Sequence, residues 1–121
     1  MKLLDVSAVA SADHALDNTV DVTTLGADVL SARSIALSFP KWTDGRAYSQ
    51  ARTLRTRLGF AGELRATGDI VVDMLPLLAR TGFDAAVLRA DQKRSSADRV
   101  LHAFTAHYQA DVNEPRPLYA R

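Results

Sequence analysis

A chain of 121 residues with 47% hydrophobic and 24% charged residues is sized and composed for one folded domain, 1–121, and is too short for a full eight-stranded βα barrel. A formal net charge of +1 leaves no large field for nucleic acid or an acidic membrane, and the absence of cysteine removes disulfides, thiolate zinc sites, iron–sulfur ligation and dithiol redox chemistry together. Asp5 interrupts the first apolar run before signal-peptide length and no later segment approaches a membrane span, so the expected location is the cytoplasm.

Residues 1–20 mix Ser11, Asp13, His14, Asp17, Asn18 and Thr19 without a sustained period and read as a loosely ordered lead-in. Residues 26–33 suit a short helix or turn. Ile35 to Phe39 is a compact apolar run that stops at Pro40 and reads as a buried strand. Beyond Asp44 and Gly45, the residues Ala47, Ala51, Leu54 and Leu58 recur at helical spacing, and Gly59 supplies a stop. Thr43 or Asp44 is the expected cap, and the late arginines suit the negative end of the helix dipole.

Gly62 to Thr67 is the second strand. Asp69 is expected to cap a helix that runs to Gly82, with Asp69, Asp73, Pro76 and Arg80 on one narrow stripe and apolar residues around the rest. Pro76 removes a backbone donor and predicts a bend. So apolar a helix needs covering on more than one side, and a homodimer would supply that cover. Ala85 to Ala90 is the third strand, and a last helix opens at Ser95 or Ser96 with Ala97, Leu101, Phe104 and Tyr108 as its buried stripe. Pro115 and Pro117 make 111–121 an extended tail.

Strand, helix, strand, helix, strand, helix predicts an α/β fold: a small parallel sheet of repeated βα units, either an open layer or part of a barrel. No Gly-x-Gly-x-x-Gly follows a strand and no Gly-rich loop ends in Lys and Ser or Thr, so neither a self-sufficient nicotinamide enzyme nor a nucleotide hydrolase is expected. His102 and His107 are five apart and rotate away from each other on a helix, which gives no metal-ligand pair. No cofactor is named by any motif.

The run from Phe39 through Pro40, Lys41, Trp42, Thr43, Asp44, Gly45 and Arg46 to Tyr48, Ser49, Gln50, Ala51 and Arg52 carries a resemblance. It continues in Leu54, Arg55, Arg57 to Phe60, Gly62 to Ala66, Gly68, Asp69, Asp73, Gly82 to Asp84, and Tyr108 with Gln109. Together these closely resemble the bacterial domain-of-unknown-function 934 family, over roughly two thirds of the chain. The resemblance implies a probable oxidoreductase involved in sulfite reduction, a pathway without an assigned mechanism. Met74 and Thr81 stand where that family commonly has Gln and often has Cys, which removes any catalytic thiol at the second position.

The two strand-to-helix junctions, 39–46 and 65–69, are where an open α/β sheet places its ligands. The candidate anion- or ligand-binding residues are Asp44, Gly45, Arg46, Arg65, Asp69 and Arg89. Helix N–H groups and arginines would hold a sulfite, phosphate or carboxylate, with Asp44 or Asp69 orienting an arginine or acting as a base. The structural alternative is that Asp44 caps a helix, Gly45 permits a tight backbone, and Arg46 pairs with Glu63 or Asp69. Ser49 has no histidine near it in sequence to activate it as a nucleophile. Trp42 reads more readily as a lid over the core than as a stacking surface for a flavin or a protein.

Two functions follow. One is an accessory protein of sulfite reduction that binds the reductase, a related redox partner or a small anion. The other is an α/β enzyme acting on an oxyanion-bearing substrate at the strand ends.

Overall fold

The computed structural model describes residues 1–9 and 11–107. Five strands, β1 (Lys2–Leu4), β2 (His14–Leu16), β3 (Ser34–Phe39), β4 (Glu63–Gly68) and β5 (Ala85–Val87), form one sheet in the order β1-β5-β4-β3-β2. Every neighbouring pair is parallel. The helices are α1 (Ala27–Leu30), α2 (Arg46–Thr56), α3 (Leu75–Thr81) and α4 (Arg94–His107). From β2 to β5 consecutive strands are neighbours, and β1 joins the far side of β5. This is the order of a five-stranded parallel barrel opened between β1 and β2, so the expectation of a small parallel α/β sheet holds.

Alternation along the strands sorts side chains onto two faces. Ile35, Leu37 and Phe39 of β3, Leu64 and Ala66 of β4 and Ala86 of β5 are buried in one core with Ala47, Ala51 and Leu54 of α2, Leu75 and Leu78 of α3 and Ala97 of α4. The opposite face is crossed by the connection from β1 to β2. A single turn of 3-10 helix, Val6–Val9, lies against β5, Ser11 accepts a hydrogen bond from Arg65 of β4 (2.8 Å), and Asp13 N–H donates to Ser34 Oγ of β3 (3.0 Å).

Several expectations change. The lead-in 1–20 contains β1 and β2, two edge strands of three residues each. They are too short to show a period, and their order comes from hydrogen bonding to β5 and β3. Asp69 caps no helix: the chain stays extended past it, makes a 3-10 turn at Val72–Met74 and only then enters α3. Pro76 therefore sits in the first turn of α3, where its missing N–H costs nothing, and the expected bend is absent. The short α3 packs within the chain against α2 and α4 and leaves Leu77 exposed. The third strand ends at Val87, and α4 starts at Arg94 with Ser95 and Ser96 already inside it. The tail 111–121 and Tyr108 lie outside the described residues.

Gly68 carries the turn out of β4. Its φ is +98°, and a Cβ there would lie 2.4 Å from the Phe39 carbonyl oxygen. Only glycine lets the ends of β3 and β4 approach this closely before Asp69 departs.

Candidate functional site

The carboxyl ends of β3, β4 and β5 release three connections on the same edge of the sheet, at Pro40–Gly45, Asp69–Met74 and Leu88–Lys93. Hydrogen bonds tie them together. Asp69 accepts the Trp42 N–H (2.8 Å) on one carboxylate oxygen and an Arg89 N–H (2.8 Å) on the other. Arg89 also grips Asp91 through Nε and NH2, at 2.6 and 2.8 Å. The Arg89 N–H donates to the Ile70 carbonyl (2.9 Å), and the Val72 N–H donates to Gln92 Oε1 (2.8 Å).

The hydrogen-bonded Arg89 guanidinium, with help from the Trp42 N–H, holds the Asp69 carboxyl below its usual range. Arg89 takes Asp91 down to about 2, and its own pKa is pushed up by Asp91 first and Asp69 second. All three stay ionised near neutral pH.

Between these connections lies an open cleft of about 700 Å³, lined by Trp42, Thr43, Tyr48, Val71, Asp73, Met74, Leu77, Arg89 and Gln92. Trp42 is 54% exposed and Leu77 42%, so the tryptophan is no lid over the core. Tyr48 forms the wall between them and the sheet: its ring meets Phe39 edge-on at 5.0 Å, and burial pushes its hydroxyl pKa up. Asp73 and Gln92 also belong to an adjoining groove of about 650 Å³ that runs along α4 past Lys93, Ser96 and Arg99.

The six candidate residues do not form one site. Asp69 and Arg89 pair at the cleft. Asp44 and Arg46 pair with each other (2.8 Å) beside β2, where Asn18 also donates to Asp44 at 2.8 Å, and Arg46 lowers the Asp44 pKa to about 2. The Asp44 carboxylate accepts the Arg46 backbone N–H (3.1 Å), so it does serve the first turn of α2, with Gly45 as the N-cap residue. Gly45 has φ −89° and no near neighbour for an added Cβ, so nothing there requires glycine.

Arg65 is on the other face. The alternation that buries Leu64 and Ala66 turns Glu63 and Arg65 towards the strap between β1 and β2, where Arg65 bonds Glu63 and Ser11, and Lys2 closes on Glu63. The expected convergence of Arg46, Arg65 and Asp69 is therefore not formed, and neither Glu63 nor Asp69 is the partner of Arg46. Gln50 is buried and donates to the Asp17 and Val20 carbonyls (2.9 and 3.0 Å), which is polar packing of α2 against the segment after β2.

Sequence reasoning gave Tyr48 to polar packing at the junction and Val71, Met74 and Leu77 to the apolar sides of a helix, and assigned none of them to a site. The surplus of apolar residues between Ile70 and Ala79, read from the sequence as a subunit interface, was the available signal. Sequence reasoning also passed over Arg55. That side chain is only 12% exposed and donates to the carbonyls of Phe60 (2.8 Å), Gly62 (2.7 Å) and Gly82 (3.0 Å) and to the Asp84 carboxylate. It knots the amino ends of β4 and β5, away from the cleft.

Fold and cleft together define a class: a small, all-parallel α/β protein with an aromatic-walled cleft at the carboxyl ends of its strands. The chain belongs to the bacterial protein family of unknown function DUF934, which matches over residues 14–119. No curated protein and no solved structure matches it.

Proposed function

We propose that this chain is an accessory, electron-transfer-associated component of assimilatory sulfite reduction in the cytoplasm, which works by docking the reductase or a related redox protein and has little chemistry of its own. The pathway comes from the resemblance carried by Phe39 to Asp69. The docking mode rests on one observation above all: the strand-end cleft exposes Trp42 and Leu77 while its one lining arginine, Arg89, is already paired with Asp69 and Asp91. Exposed large apolar side chains grouped around a cleft are the usual mark of an interaction surface.

Small-anion binding has less support. Arg46 is held by Asp44, and Arg89 by Asp69 and Asp91, so an incoming oxyanion would have to displace carboxylates already in good geometry. The enzyme reading meets a second obstacle, since carboxyls held below their usual range, as Asp44 and Asp69 are, make poor bases near neutral pH. A homodimer through the same apolar residues is the competing use of the cleft.

The test is affinity capture of sulfite reductase on immobilised protein, with Trp42→Ala and Leu77→Glu beside the wild type, together with growth of a deletion strain on sulfate as sole sulfur source. Capture lost in both variants and slow growth of the deletion strain are expected. Unimpaired growth removes the pathway, and capture indifferent to both variants removes the cleft as the docking surface.

A further inference from the structure

Resting on the reading of the cleft as a docking surface, we infer what fills it: a protein segment that presents an apolar or aromatic side chain next to a lysine or arginine. The apolar half of that description follows from the exposed Trp42 and Leu77, which line the cleft with the partly buried Tyr48 and the buried Met74. The aromatic walls also favour a cation lying against them.

The charged half follows from the acidic groups. The charged residues lining the cleft are Asp73 and Arg89, and Arg89 is held from behind by two further carboxylates, Asp69 and Asp91. Asp73 is exposed and has no hydrogen bond or ion pair among the described residues. Lys93, just before α4, and Arg99 within it line the adjoining groove, which Asp73 and Gln92 share, and line no part of the cleft. A basic group entering beside Trp42 meets a carboxylate; an acidic one is repelled by it and finds Arg89 occupied.

Trp42 is the one tryptophan of the chain, so its fluorescence reports the cleft without a label. The probes are 2-phenylethylammonium and 3-phenylpropanoate, which share an aromatic end and differ in the sign of the other. Saturable change with the cation, with apparent affinity about fivefold or more above that of the anion at low salt, is expected for a partly exposed carboxylate acting on both signs. Asp73→Asn should bring the two probes to within about twofold, since the discriminating charge is gone, while Leu77→Ala should weaken both alike.

Equal binding of the two probes, tighter binding of the anion, or a preference untouched by Asp73→Asn overturns the inference. So does sedimentation showing that wild type self-associates and Leu77→Glu does not, because the occupant is then a second copy of this chain. Capture of sulfite reductase that needs Leu77 but survives Asp73→Lys leaves the docking surface standing and removes its charge preference; capture that ignores both positions removes the docking surface itself.

Discussion

Arg55 shows how one side chain can be misjudged from its position alone. On a helix wheel it is a late basic residue that complements the dipole of α2, whereas in the fold it is the best-connected cation among the described residues. Its planar fork reaches three carbonyls and a carboxylate, with the guanidinium 5.5 Å from the Phe60 ring centre. A lysine carries the charge but cannot span that set of acceptors. Arg55→Lys is expected to cost about 2–4 kcal/mol, since several acceptors lose their donor at a site that is only partly open to water. Thermal unfolding should show a midpoint lower by roughly 10 °C for a domain of this size, and an unchanged midpoint would contradict the knot. Arg65 teaches the complementary lesson. Its departure from the candidate site was legible in the sequence, because Leu64 and Ala66 needed the core and a period of two sends Arg65 the other way.

Elements were legible in proportion to their length. The apolar run of β3 and the spaced Ala47, Ala51 and Leu54 of α2 announce themselves, since each repeats its pattern often enough to be read. β1 and β2 do not, because a three-residue strand is specified by its neighbours' hydrogen bonds. The connection after β4 was misread as helix because its apolar residues fit that period, although Pro76 marks a first turn as readily as a kink. The site follows the same rule: Trp42, Asp69 and Arg89 could be placed at strand ends, while the pairing among their loops depended on the sheet order. That pairing has a pH signature. Asp69 and Asp91 titrate below their ordinary range in the fold, so their stabilisation is complete above the ordinary carboxyl range and is lost as pH falls through their lowered pKa values, about 2 for Asp91. Trp42 fluorescence should therefore be level from about pH 8 to 5 and change between about pH 4 and 2, with Asp69→Asn abolishing part of the step. A transition near neutral pH would show that other groups hold the loops.

At the scale of the whole molecule, the sheet order constrains how the chain can assemble. β2, β3 and β4 each pair with the strand next made, whereas Lys2 of β1 is matched to Ala85 of β5. The first of the five strands thus lacks its partner until the last of them exists, and its pairing closes the longest loop in the sheet. Pulse-labelled hydrogen exchange during refolding should find the amides of β3 and β4 protected before those of Leu3 and Leu4, and the reverse order would overturn this assembly sequence. The strap that crosses the second face is anchored at one end by β1, so it too can settle only then, bringing Ser11 to Arg65. One face of the sheet can therefore form early while the other waits for the chain's two distant parts to meet, and any agent that traps the strap keeps that face open to solvent.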